Sequence, residues 1–138
     1  MTRLESTGSK RKVFVLYSWE DFENDLRQIK VFLEGRSRLY TGIYAIPRGG
    51  LVLGVRLSHE LDLPLIYGGV TSDTLVVDEI ADTGDALHPY LKKCDTIVLH
   101  RNIRCPIKPT FWAQDSDGYV IYPWESRTRE IERCSIED

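Results

Sequence analysis

The stretch Thr74-Leu75-Val76-Val77 runs without a break into Asp78-Glu79 and, two apolar residues later, into Asp82-Thr83-Gly84-Asp85. Branched apolar side chains without polar alternation need burial on both faces, as in the interior of a parallel sheet. Acids directly behind such a run stand at the carboxyl end of the strand, the edge where open α/β sheets bind ligands. Further short apolar runs lie at Val13–Leu16, Gly42–Ile46, Leu65–Tyr67 and Thr96–His100, with an extended segment at Tyr119–Tyr122. Between them, Phe22, Leu26, Ile29 and Leu33 recur at helical spacing behind a capping-box-like start at Ser18 and Asp21, with Gly35 as the stop. Leu51–Leu61 predicts a second helix ended by Asp62 and Pro64, and Ala86–Lys93 a short third with Pro89 in its first turn. The charged tail from Glu125 reads as helical. Strands alternating with helices predict an α/β fold, a twisted parallel sheet of about five strands with helices on both faces.

Composition narrows what such a chain does. At 138 residues it is expected to form one domain over 13–138, behind a mobile tail over 1–12 whose Lys10-Arg11-Lys12 triplet reads as a solvated flank. A net charge of −3 gives no global attraction to nucleic acid, so no nucleic-acid partner is expected. No apolar run approaches the roughly eighteen residues of a membrane span, so no membrane partner is expected either. Cys94, Cys105 and Cys134 are odd in number and lack Cys-x-x-Cys spacing, which fits a reducing compartment and predicts a cytoplasmic protein.

The loop Asp78–Asp85 carries the chemistry. Backbone N–H groups of Thr83, Gly84, Asp85 and Ala86 are expected to point into one concavity, with Gly84 lacking the Cβ that would obstruct an anion. A helix opening there would add partial positive charge. The carboxylates of Asp78 and Glu79 are poor phosphate ligands but suit sugar hydroxyls or a magnesium ion. An acidic loop that merely caps a helix has no use for three acids in five positions. The turn Pro47-Arg48-Gly49-Gly50 also follows a strand and is expected on the same sheet edge.

The segment from Leu75 to Ala86 resembles the phosphoribosyl pyrophosphate (PRPP) signature of the type I phosphoribosyltransferases: a strand, two acids, two apolar residues, then Asp-Thr-Gly. Ile43–Val52 resembles their pyrophosphate-binding turn. Asp117-Gly118-Tyr119-Val120-Ile121-Tyr122-Pro123-Trp124-Glu125 resembles their purine-binding segment in a small C-terminal hood. The three motifs occur in family order, in the form found in bacterial and archaeal xanthine-guanine-hypoxanthine enzymes. The resemblance implies transfer of a phosphoribosyl group from PRPP to a 6-oxopurine (guanine, xanthine or hypoxanthine), with Mg2+ as cofactor, in a homo-oligomer (dimer or tetramer). It implies roles residue by residue. Asp78 and Glu79 hold the ribose hydroxyls, and Thr83, Gly84, Asp85 and Ala86 cradle the 5-phosphate. Arg48, Gly49 and Gly50 hold pyrophosphate, with Pro47–Arg48 the candidate for the family's cis peptide. Asp82 belongs to the PRPP site and also acts on the purine ring proton as the catalytic residue. Arg101 and Val120 meet the ring edge, Tyr119 stacks on the purine, and Asp78 and Asp117 serve the metal. Trp124 reads as a packing residue.

Three positions depart from the family pattern. Glu79 stands where aspartate is usual, and Ala86 removes the hydroxyl of the phosphate loop's second threonine. Gly68–Asp73 is all that occupies the place of a long flexible catalytic loop. That shortening supports an alternative expectation, a non-catalytic PRPP- or nucleotide-binding regulatory module of the same fold.

Overall fold

The computed structural model describes residues 1–5 and 12–136, which divide into two compact units, 25–115 and the pair 1–24 with 116–138. The larger unit holds a five-stranded sheet in the order β4 (Leu65–Ile66), β3 (Gly42–Ala45), β5 (Thr74–Ala81), β6 (Asp95–Asn102), β7 (Phe111–Ser116). β3 pairs in parallel with β4 and β5, and β5 in parallel with β6, with Tyr44 opposite Val76 and Val76 opposite Thr96. This is the expected α/β fold with its central five-stranded sheet.

Period-two alternation assigns the two faces. Ile43, Ala45, Leu75, Val77, Ile97 and Leu99 are buried. Against the Ala45 and Val77 side lies α2 (Leu51–Leu61), brought close because Gly54 has no side chain. A Cβ there would stand 2.5 Å from Ala45 Cβ and 3.4 Å from Val77 Cγ2. α1 (Trp19–Leu33) buries Leu26, Ile29 and Leu33 and is tied to α2 by Lys30 on Glu60 at 2.8 Å. On the opposite face Val76 and Val98 cluster with Ala81, Leu87, Cys94 and Cys105, against which Tyr90, Leu91, Ile107 and Trp112 pack.

Two elements differ from expectation. Ala86–Lys93 is not an α-helix: only His88–Tyr90 form a 3₁₀ turn, with Pro89 in its first positions. Pro89 has no N–H to donate to an i−4 carbonyl, so the ladder cannot grow through it. β5 is longer than expected, continuing through Asp78 and Glu79 to Ala81, because Asp78, Ile80 and Ala81 stay in register with Val98, His100 and Arg101. The acid pair is therefore held rigidly within the strand. β7 was not anticipated; the Pro106 and Pro109 signals ahead of it mask a strand whose Phe111 stacks on Phe32 with centroids 4.5 Å apart.

In the smaller unit β1 (Thr2–Glu5), β2 (Val13–Leu16) and β8 (Tyr119–Ile121) form a second sheet, β1 antiparallel and β8 parallel to β2. Thr2–Glu5 thus form a strand where a tail is expected, and the rest of that tail, 6–11, lies outside the described residues. α3 (Arg127–Ile136) supplies Ile131 and Cys134 to a cluster with Phe14 and Ile121. The capping box at the start of α1 is formed: Ser18 Oγ accepts from Asp21 N–H at 3.0 Å and Asp21 Oδ2 from Ser18 N–H at 2.9 Å. Tyr17, Trp19, Phe22, Tyr122 and Trp124 make an aromatic cluster, with Trp124 stacked on Tyr122 at 4.9 Å. Trp124 is a packing residue there. No helix among the described residues is long and apolar enough to cross a membrane.

Candidate active site

In the larger unit the chain goes from β3 to β4 on one side and returns to β5 on the other, so strand order reverses between β3 and β5. In open α/β sheets ligands bind at such a reversal, beyond the carboxyl ends of the strands. The pyrophosphate-type turn leaves β3 at that edge, and the acid pair lies in the carboxyl-terminal half of β5. Pro47–Arg48 is a cis peptide bond, as the resemblance implies.

The two motifs touch. A Cβ on Gly49 would overlap the Glu79 carboxylate, and one on Gly50 would stand 2.8 Å from Val77 O and 2.9 Å from Asp78 Cα. The closeness is fixed by Ile46 N–H donating to Val77 O at 2.9 Å. A side chain at Gly50 would pry the turn away from the strand, and one at Gly49 would displace the Glu79 carboxylate. Only 6% of Asp78 is exposed, and its Oδ1 accepts the Glu79 backbone N–H at 2.9 Å.

Burial raises the Asp78 carboxyl above its ordinary range. Burial first, and then the hydrogen bond and charge of Asp78, push Glu79 up to about 9. Two neighbouring carboxyls withdrawn from water cannot both ionise cheaply, so the pair retains a proton at neutral pH. The folded state binds more protons than the unfolded chain between the ordinary glutamate range and about pH 9. Stability contributed by this group therefore falls as pH rises through that window. Glu79→Gln keeps the shape and removes the titration. It is expected to raise stability by about 1–3 kcal/mol at pH 8 and to flatten the pH dependence. Urea melts at pH 5, 7 and 9 check this; equal slopes with pH in both proteins would refute it.

Beyond β5, Asp82, Thr83, Asp85 and Ala86 are exposed. Gly84 has φ +91, a left-handed conformation that favours glycine, and Thr83 Oγ1 accepts the Asp85 N–H at 3.2 Å. His88 N–H closes the turn onto Gly84 O at 2.9 Å. The expected cradle is thus a glycine turn backed by a 3₁₀ segment rather than a helix end. Behind it lies Ile107, whose Cγ1 would be 2.7 Å from a Cβ on Gly84. Arg101, opposite Ala81 in β6, donates from Nε to Ile107 O at 2.8 Å and from Nη2 to Cys105 O at 2.9 Å.

Tyr119, Val120 and Asp117 belong to the smaller unit. Tyr119 is 41% exposed, with Phe14 5.9 Å away and the Lys12 ammonium 5.3 Å from its ring centroid. Lys12, expected in a solvated flank, is 8% exposed, while Lys10 and Arg11 lie outside the described residues. Asp117 forms a two-pronged ion pair with Arg3 at 2.8 and 3.1 Å. Among the described residues no cluster of three or more His, Cys, Asp or Glu side chains is arranged to hold a metal. Ile107 and Lys12 carry no sequence signal as site neighbours, because only tertiary packing brings them to Gly84 and Tyr119.

No family model matches the chain. It is 26% identical to a xanthine-guanine phosphoribosyltransferase of Nitratidesulfovibrio vulgaris, over 88% of this chain and 90% of that one. A purine phosphoribosyltransferase from Pyrococcus horikoshii has the same fold, with TM-score 0.71 and 22% identity, over 82% of this chain and 94% of that one. The Helicobacter pylori xanthine-guanine-hypoxanthine phosphoribosyltransferase superposes with TM-score 0.70 and 23% identity, over 87% and 99%. In sequence and in fold, then, the chain is similar to the type I phosphoribosyltransferases, and within them to the xanthine-guanine-hypoxanthine enzymes.

Proposed function

We propose that this chain is a purine phosphoribosyltransferase that takes the 5-phosphoribosyl group from PRPP to a 6-oxopurine, giving the nucleoside monophosphate and pyrophosphate. The observation that supports this best is the Glu79 carboxylate lying against Gly49, which joins a pyrophosphate-type turn to a sugar-type acid pair at one sheet edge. In this reading the Arg48–Gly50 turn takes the leaving pyrophosphate, Asp78 and Glu79 take the ribose hydroxyls, and Thr83–Ala86 take the 5-phosphate. Within the smaller unit, the exposed Tyr119 ring and the Val120 backbone are the groups this reading assigns to the purine. As the C1–pyrophosphate bond breaks, pyrophosphate leaves with the electron pair. The purine nitrogen bonds to C1, and Asp82 receives or stabilises the ring proton. Magnesium is held elsewhere by one or two carboxylates plus substrate phosphates, and Asp78 and Glu79 supply such oxygens. When bound it would neutralise the pyrophosphate charge. Asp78 and Glu79, which hold a proton between them at neutral pH, would give it up to hold a cation.

Calorimetry with Mg2+ and PRPP tests the site. Wild type is expected to bind, and Asp78→Asn with Glu79→Gln to bind at least tenfold more weakly, since each lost charged hydrogen bond costs about 1.5–3 kcal/mol. Equal affinities would overturn the assignment of the acid pair.

One observation favours a second reading, a non-catalytic PRPP- or nucleotide-binding module. The Gly68–Asp73 segment is fastened down: Lys93 Nζ donates to Val70 O at 2.7 Å and Cys94 Sγ lies 3.2 Å from Thr71 O. Turnover distinguishes the two readings.

A further inference from the structure

Arg101 falls where the family resemblance puts a base-contacting cation, but its guanidinium is already engaged inside the larger unit. Nε and Nη2 each donate to a backbone carbonyl, of Ile107 and Cys105, and the guanidinium carbon lies 5.2 Å from the Trp112 ring centroid. Two donors on one rigid fork, with an aromatic ring against it, fix a guanidinium in position and orientation. What it fixes is the segment after β6, itself tightened by Cys105 N–H on Asn102 O at 2.9 Å. That segment presents Ile107 to Gly84, with Cγ1, Cγ2 and Cδ1 at 2.7, 3.1 and 3.3 Å from where a Cβ would stand. Gly84 is the residue whose positive φ shapes the phosphate loop. The loop has no α-helix behind it to hold that shape, only the 3₁₀ turn His88–Tyr90. Besides its own hydrogen bonds and the buried Leu87, the loop is backed at Gly84 by Ile107, and Ile107 is held in turn by Arg101.

We infer that Arg101 is a positioning residue for the phosphate loop, acting through Ile107 on Gly84, and that it serves PRPP rather than the base. A lysine does not replace it, since one ammonium on a flexible stem cannot hold two carbonyls in a planar fork while keeping its cation over Trp112. The ligand arm of this inference rests on the function proposed above; the loop-order arm does not.

Arg101→Lys and Ile107→Ala test it by two readouts. The first is hydrogen exchange at the Asp85 and His88 amides, whose bonds to Thr83 Oγ1 and Gly84 O depend on the loop being formed. Exchange there is expected to quicken about tenfold in both variants, with the Leu75–Val77 amides unchanged, because local opening reports local support. The second is the split of Michaelis constants, in which KM for PRPP is expected to rise about tenfold while KM for the base changes less than about twofold. In the double variant the two effects should not add, since both changes cut one chain of contacts. A rise in KM for the base alone, with exchange unchanged, would overturn the inference and make Arg101 a base contact. Wild type that binds no PRPP would overturn the proposed function, and exchange at Asp85 and His88 would still decide the role of Arg101.

Discussion

Asp82→Asn is expected to lower kcat by about 10²–10⁴-fold while the affinity for PRPP stays within a few-fold of wild type, because removing a proton-handling group costs the transition state far more than the ground state. In the proposed reading Asp82 is the acid assigned to this work. It lies one residue past the end of β5, exposed, whereas Asp78 and Glu79 are withdrawn from water and retain a proton between them. A group that must meet an incoming purine has to be open to it, and Asp82 is the acid of the three that is. The amide of asparagine keeps size and polarity, so a fall in kcat reports lost proton handling rather than lost shape. Single-turnover rates isolate the chemical step, and an unchanged rate would remove Asp82 from the mechanism.

PRPP is expected to be hydrolysed without any base at a sizeable fraction, about a tenth or more, of the transfer rate, because the segment between β4 and β5 is too short to close over the site and exclude water. The reason is topological. β4 and β5 lie on either side of β3 and run parallel, so the chain leaving Ile66 must return to the opposite end of the sheet to start β5 at Thr74. At about 3.4 Å per residue, Gly68–Asp73 spans about 20 Å, which that crossover consumes. Val70 packs on the sheet face, and Thr41 N–H donates to Asp73 O at 2.9 Å at the end of the sheet where β3 and β5 begin. The segment runs away from the site edge and is bonded there. Release of ribose 5-phosphate with and without guanine, over a dilution series, measures the coupling. Tight coupling at every dilution would show that water is excluded within one chain; coupling lost on dilution would show that a neighbouring copy supplies the lid.

Much of this was legible in the sequence because it depends on local rules. The stripe Phe22, Leu26, Ile29, Leu33 needs only the helical period, and all four are buried. The Ser18–Asp21 cap, the stop of α2 at Asp62 and the placement of both functional turns behind strands are equally local. The loop that the proposed reading uses was legible as one unit as well, since Asp78, Glu79, Asp82 and Gly84 lie close together in the chain. What was not legible depends on partners far away in sequence. β5 extends through two acids because β6 continues to pair with it, which overrides the low strand propensity of Asp and Glu. Thr2–Glu5 become a strand because Val13–Leu16 offer an edge. The burial of Lys12 beside Tyr119 and the grip of Arg101 on Ile107 arise only when strands β2 and β8, or β6 and its following loop, are side by side.

Steady-state turnover with Mg2+, PRPP and guanine, xanthine or hypoxanthine in turn tests the central claim most directly. With at least one of the three, the nucleoside monophosphate is expected to accumulate, and pyrophosphate to equal the sum of nucleotide and ribose 5-phosphate released. PRPP that binds at the Asp78–Ala86 segment and is returned intact with every base would contradict it, and would make this fold a sensor of PRPP rather than its consumer.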